Sequence, residues 1–326
     1  MGTLQDALND SAYGAYGKFI GHTLFGLNHE QRRPILRNIP EGEALVFFTR
    51  PYFNMSKTNL RNNRVMTNLI VNEAESVQTY IRQTLDPDVA ENESTYCSLV
   101  NPNCAFVPVL SNTILNMSGW PDRILPTFAS KPGARGEQYS LPDGIVETNG
   151  KFDLTFTFEK MDGDINEKLL TTWMDMMSLQ NDGICVPYVW HEAYKEKNYD
   201  SRIYVLVMDV TNRIVLDIAT AISTFPVNDN KGAKFNISNR KRIKENEFSV
   251  RFEANLIQYS DPILLLEFNL ASARFNRDVF NLITGKSHNL HKVAPVDFYK
   301  YKNNLIPIID FETNELCWYA NNDSRR

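Results

Sequence analysis

Between Leu154 and Met177 the chain reads LTFTFEKMDGDINEKLLTTWMDMM, and its hydrophobic period changes within that stretch. Phe152, Leu154, Phe156 and Phe158 alternate with Asp153, Thr155, Thr157 and Glu159, which predicts a strand buried on one face. Ile165, Leu169, Trp173, Met176 and Met177 then recur at helical spacing and predict a one-sided helix over 164–180. Asp164 stands three residues before Glu167, the spacing of a capping box, and Asn181-Asp182-Gly183 supplies the stop.

Three further strands follow. SRIYVLVMDV (Ser201 to Val210) and RIVLDIATAI (Arg213 to Ile222) are separated by Thr211-Asn212, a hairpin signal. In EFSVRFEANLIQY (Glu247 to Tyr259), Phe248, Val250, Phe252, Ala254 and Leu256 alternate with polar residues. A strand, a helix and then mostly antiparallel strands make an α+β arrangement.

The rest of the chain is less regular. Residues 1–40 read as a polar arm with scattered aromatics, and EALVFFTRPYF (Glu43 to Phe53) as a short strand halted by Pro51. In Ser56 to Leu85, Val65, Leu69 and Ile70 share a helical face with Val77, Tyr80 and Ile81, ending at Asp86-Pro87. Residues 86–150 are punctuated by Pro, Asn, Ser and Gly and read either as loop-rich packing or, the favoured reading, as an extended segment ordered by neighbouring subunits. The apolar run PILLLEF (Pro262 to Phe268) is strand-length, and the remaining C-terminal residues show no placeable pattern. The divisions are 1–144, an N-terminal arm and loop-rich region; 145–270, the regular domain with its helix over 164–180; and 271–326, a C-terminal extension.

Composition narrows the function classes. The 326 residues are 43% hydrophobic, enough for one large core or two ordinary ones, and the net charge of −5 does not point to nucleic acid. The N-terminus lacks the basic-then-apolar order of a signal peptide, and no apolar run reaches the roughly 18 residues of a membrane span. Asn-x-Ser matches such as Asn54-Met55-Ser56 are then fortuitous. Cys97, Cys104, Cys185 and Cys317 form no CxxC pair; Cys97 and Cys104 could bridge a loop, but scattered thiols fit a reducing compartment better.

Candidate chemistry is sparse, with no phosphate-binding loop, dinucleotide fingerprint, GxSxG or HExxH. His22, His29 and His191 stand alone, and His288 and His291 lack the further ligands a zinc site needs. Asp162, Asp164 and Glu167 could be acid–base carboxylates, but helix capping explains them more simply. Met174 falls off the Trp173 stripe and is the helix residue best placed to touch a partner. No catalytic, cofactor or metal site is expected. The loop from Asn228 to Glu247 carries Lys231, Lys234, Arg240, Lys241, Arg242 and Lys244. A solvated hairpin tip would account for it, yet hairpin loops are usually two to five residues, and long loops on rigid sheets carry function. In an acidic chain such a loop suits the acidic face of another copy.

The stretch LTFTFEKMDGDINEKLLTTWMDMMSLQNDG resembles the strand–helix signature of contractile-phage tail-tube proteins, most of all baseplate tube initiators. DVTNRIVLDIATAISTFPVNDNKGAKFNISNRKRIKENEFSVRFEANLIQYSD is similar to the same family in its order of strand, Phe225-Pro226 turn, long loop and alternating strand. The resemblance covers residues 145–260, and LVFFTRPYFNMS resembles segments of large-phage virion proteins. It implies a β-sandwich or barrel-like fold with a flanking helix, and a hexameric ring whose strands close into a continuous barrel. The ring would sit at the baseplate, nucleate or continue the tail tube, contact hub and wedge proteins, and pass DNA through a lumen that a basic wall would obstruct. The protein would be made in the host cytoplasm and reside in the virion. A tube subunit, a neck or terminator protein, another baseplate protein, and a DNA-binding protein using Lys231 to Lys244 are the other readings.

Overall fold

The computed structural model describes residues 42–321 apart from 93–94, 145–148, 195–196, 239–240, 243–245 and 302–303; the arm expected over residues 1–40, with His22 and His29, lies outside them. The first part of the chain forms β1 (Ala44–Phe48), α1 (Val77–Leu85), α2 (Pro87–Asn92), α3 (Pro108–Thr113), β2 (Ile114–Ser118), β3 (Thr127–Ala129) and β4 (Ser140–Pro142). The middle forms β5 (Asn149–Glu159), α4 (Ile165–Asn181), α5 (Val189–Tyr194), β6 (Ser201–Met208), β7 (Val215–Pro226), β8 (Ile237–Ser238), β9 (Lys241–Arg242) and β10 (Glu247–Tyr259). The last part holds α6 (Ile263–Ser272), α7 (Arg277–Ile283), β11 (Leu290–Lys292), β12 (Ile306–Ile309) and β13 (Leu316–Asn321).

Six strands make one antiparallel sheet in the order β1-β6-β7-β10-β5-β2. β1 and β5 lie four strand spacings apart in that order, which in a flat sheet is about 19 Å. Yet the Phe48 ring of β1 lies 5.1 Å from Phe156 and 6.1 Å from Phe158 of β5, and 5.8 Å from Phe252 of β10. Rings can approach this closely only if the sheet curls around them. The segment before β2 nearly completes the curl: Arg50 N–H donates to Ala105 O, Phe106 bridges Thr49, and Val107 N–H donates to Phe48 O. Pro108 then opens α3, which runs straight into β2. The result is an α+β fold built on a barrel-like antiparallel sheet with one open seam.

The two halves of the sheet are covered differently. Inside the curl, Leu154, Phe156, Phe158, Val250 and Phe252 pack against Leu169, Trp173 and Met176 of α4, and against Ile81 and Leu85 of α1. On the outer face, Phe47, Tyr204, Leu206 and Ile218 pack against Leu264, Leu265 and Phe268 of α6 and Ile309 and Leu316 of the small sheet β11-β13-β12. β6, covered on both faces, is buried at almost every position, whereas β10 alternates strictly exposed and buried through most of its length. Nothing in the described residues covers the outer face of β5 and β10.

Several local expectations are corrected. Asp164 adopts a left-handed φ of 53° after Gly163 and its side chain makes no cap hydrogen bond. The amide of Asn166 instead ties α4 to the end of β5, donating to Glu159 O at 2.6 Å, and Glu167 is buried rather than capping. The helix expected from Val65 onward is broken: Met66–Leu69 is a single 3-10 turn, and α1 starts afresh where the Ser76 hydroxyl accepts from Thr79 N–H. PILLLEF is a helix, not a strand. Asp261 accepts from Ile263 N–H at its start, and α6 lies between the large sheet and β12, where Asn269 exchanges hydrogen bonds of 2.8 Å with the Ile309 backbone. A helix enclosed on two sides shows no one-sided pattern. The turn at 211–212 is present, organised by Asp209, whose carboxylate accepts from Thr211 Oγ1 and from the Arg213 and Ile214 N–H groups.

A buried polar knot joins the N-terminal segment to the barrel. Arg50, just after β1, donates to the carbonyls of Gln83 and Thr84 in the last turn of α1, and to those of Asn101, Pro102 and Cys104. One guanidinium thus satisfies carbonyls that the helix end leaves open. Burial lowers its pKa to about 10. Asp86 beside it accepts from Met55, Asp88 and Val89 N–H groups and from the Tyr188 hydroxyl. Burial raises its pKa to about 6 even though the Met55, Tyr188 and Val89 donors pull it down.

Trp173→Ala is expected to destabilise the fold by ~3–5 kcal/mol, since it empties a site at the centre of the core and strands the Tyr199 carbonyl that its indole N–H reaches at 3.0 Å. Equilibrium urea unfolding checks this. The Asp86 carboxyl ordinarily titrates at 3.8 and in the fold at about 6, so the folded state holds its proton more tightly. Its contribution to stability is therefore largest at low pH and falls by ~3 kcal/mol as pH rises from about 4 to about 6. Asp86→Asn should remove that slope, read as the difference between wild-type and variant unfolding midpoints across the same pH range.

Candidate assembly surfaces

The uncovered outer face of β5 and β10 is polar and charge-matched. Lys151 pairs with Glu253 at 2.9 Å, Arg251 with Asp153 at 3.7 Å, and Thr157 with Ser249 at 3.0 Å, all across the β5–β10 register. With Glu159 and Glu247 added, this face carries two cations against four carboxylates and is mildly acidic. Leu154, Phe156, Phe158, Val250, Phe252 and Ala254 of the same strands are buried in the core inside the curl.

Among the described residues the sheet has one open edge: β1 is shielded by the backbone of residues 105–107, but β2 pairs there only with β5, and its Leu115, Asn116 and Ser118 are exposed. Open edges invite pairing with another chain unless something covers them.

The basic loop joins β7 to β10 at the Glu247 end of the barrel. Lys231 reaches Asp229 at 3.6 Å, and its charge opposes the burial that raises the Asp175 carboxyl of α4. Lys234 lies in a 3-10 turn over Lys231–Phe235, and Lys241 and Arg242 form β9, paired with Ser238 and Ile237 of β8. Arg240 and Lys244 lie outside the described residues. Phe235 and Ile237 in this loop are 79% and 67% exposed. Charge makes the loop visible in the sequence; these two apolar residues carry no comparable signal.

At the opposite end of β10 stands a feature the sequence reading did not isolate. After β2 the chain turns at Gly119, whose φ of +102° and whose position against Asp153 O exclude any side chain. Trp120 packs on Tyr259, the last residue of β10, and the Tyr259 hydroxyl donates to Pro121 O at 2.5 Å. From this root an arm over residues 122–144 leaves the body, and nearly every residue in it is exposed. Its hairpin register pairs Thr127 with Pro142, Phe128 with Leu141 and Ala129 with Ser140, and continues through Ser130 N–H to Tyr139 O. Phe128, Leu141 and Tyr139 therefore share one face, at 58%, 53% and 68% exposure. The prolines and glycines of this stretch hid an apolar face at strand period.

The remaining candidates are structural. Cys97, Cys104, Cys185 and Cys317 are free, buried thiols, so Cys97 and Cys104 do not bridge. His288 accepts from Leu290 N–H and His291 meets the Tyr301 hydroxyl at 2.9 Å. Among the described residues no group of His, Cys, Asp or Glu is arranged to hold a metal ion. Met174 is half-buried on α4.

Comparisons with known proteins give the context for these surfaces. Among curated proteins none matches the chain. Of solved structures, the cap that terminates the tube of the anti-feeding prophage aligns at 14% identity over 48% of this chain and 81% of that one, with a TM-score of 0.27. The sheath–tube complex of the extracellular contractile injection system PVC aligns at 13% identity over 48% and 82%, TM-score 0.27, and its sheath/tube terminator at 11% over 47% and 86%, TM-score 0.27. A family model described as "Putative phage tail tube protein" matches residues 3–326, nearly the whole chain, and the protein belongs to that family.

Proposed function

We propose that this tail structural protein forms a hexameric ring of tube-type fold at the baseplate, and there nucleates or continues the tube through which DNA passes. The family match over residues 3–326 carries this reading. Two surfaces support it. A ring joined through the open β2 edge would cover backbone that the described residues of one subunit leave unpaired. The polar, mildly acidic face of β5 and β10 suits a lumen wall, because charge-matched side chains offer passing phosphates no net attraction. Residues 1–144 supply contacts to hub or wedge proteins, and Lys231, Lys234, Arg240, Lys241, Arg242 and Lys244 contribute to contacts between subunits or rings.

The family description equally favours a repeating tube subunit, and copy number separates the two. Quantitative mass spectrometry of purified tails should find this chain at one ring's worth of copies for an initiator, and at many rings' worth for a tube subunit. Negative-stain microscopy of the purified chain, alone and with tail partners, should show rings; a chain that stays monomeric in both samples sinks the proposal. Duplex DNA at physiological salt should bind weakly. Tight, salt-dependent binding lost on neutralising Lys231, Lys241 and Arg242 would instead favour a DNA-binding role.

A further inference from the structure

We propose that the crevice between β7, the start of α6 and the β12–β13 turn binds one hard divalent cation, calcium, through Asp217, Ser260, Asp261 and Asn314. The site lies within one subunit and does not depend on how the chain assembles.

Three parts of the chain converge here. Asp217 comes from β7, Ser260 and Asp261 from the junction between β10 and α6, and Asn314 from the turn leading into β13; all four line one crevice. Ser260 N–H donates to Ile218 O at 2.8 Å and its hydroxyl to Asp217 Oδ2 at 3.1 Å, which fixes the two acidic stretches side by side. Asn314 is held by its backbone carbonyl, which accepts from Val215 N–H at 2.9 Å. The enclosed space is about 10 Å3, the size of one water or one ion.

Two independent observations point to a ligand. Asn314 is only 3% exposed, yet its side-chain carbonyl oxygen meets no donor among the described residues. A buried carbonyl oxygen left bare is costly, and a particle in the crevice that Asn314 lines would satisfy it. The second observation is charge. Asp217 Oδ1 accepts from Ile218 N–H at 2.8 Å and Asp261 Oδ1 from Ile263 N–H at 3.0 Å, but among the described residues neither carboxylate has a cationic partner. A divalent ion would neutralise both.

The donors select the ion. All four are oxygens, which suits a hard cation and not zinc. Calcium accepts about six to eight oxygens at roughly 2.3–2.6 Å in loose geometry, so waters on the exposed side can complete its shell, whereas magnesium demands a strict octahedron. With two carboxylates in the set, no grouping of three His, Cys, Asp or Glu marks the place. So low a ligand charge implies weak affinity, about 10^-4 to 10^-3 M. A bound ion would fasten α6 and the small sheet to β7, and so the C-terminal elements to the barrel.

The test uses the full chain, stripped with EDTA and then titrated with CaCl2 by calorimetry, with thermal unfolding followed in parallel. One ion per chain should bind in that affinity range, and about 10 mM CaCl2 should raise Tm by roughly 2–6 °C. Asp217→Asn/Asp261→Asn keeps the shape of both side chains without their charge and should weaken binding at least about 10-fold. Asn314→Gly keeps the left-handed backbone, φ 53°, and removes the amide; it should fold and lose most of the Tm rise, and it carries the test should the double variant fail to fold. No heat and no Tm rise in wild type overturn the site, as does a rise that the variants retain in full. An equal response to MgCl2 overturns the assignment to calcium.

Discussion

Phe48 meeting Phe156, Phe158 and Phe252 is the contact on which the rest of the molecule depends. A strand at one edge of a six-stranded sheet can reach a strand four places away only across a curled interior, and these rings occupy that interior. The curl brings residues 105–107 against the back of β1 and leads α3 directly into β2. It also leaves a concave space that α4 fills with Trp173, whose ring meets Phe252 at 6.3 Å. Aromatic contacts of this kind add ~0.5–1.5 kcal/mol each beyond simple burial, and here they also fix the curvature.

The second organising fact is asymmetry between the halves of the barrel. The C-terminal elements plaster α6 and the small sheet over β1, β6 and β7, and stop short of β5 and β10. The same sheet is therefore a two-sided core at one end of its strand order and a polar wall at the other. Among the described residues that division leaves the polar wall of β5 and β10 uncovered and the outer side of β2 unpaired, with the root of the 122–144 arm and the basic loop at opposite ends of β10.

Legibility in the sequence follows the same division. β5 and β10 alternate because one face is wet, and their strand character is plain from Phe152 to Phe158 and from Phe248 to Leu256. α4 shows its stripe because it packs on one side, although the start of that helix misled: Asp164 and Glu167 have capping spacing, but Gly163 and Asp164 take left-handed turns and Asn166 makes the tie. α6, enclosed on two sides, has no stripe and reads as strand-length. The order β11-β13-β12 joins residues across gaps that no local pattern encodes. Among the candidate contact residues the basic loop was legible as charge, whereas the arm was not: its apolar face emerges only once Phe128 is placed opposite Leu141.

Gly119 separates the arm's direction from the character of its surface. The direction in which the arm leaves is set by a backbone torsion and by the nearness of Asp153 O, with Tyr259 holding the root, and none of these involves the arm's own side chains. Mutational drift along residues 122–144 can therefore change the arm's exposed surface while it keeps pointing the same way. A change at position 119, by contrast, would turn an otherwise unaltered arm to a different bearing on the barrel.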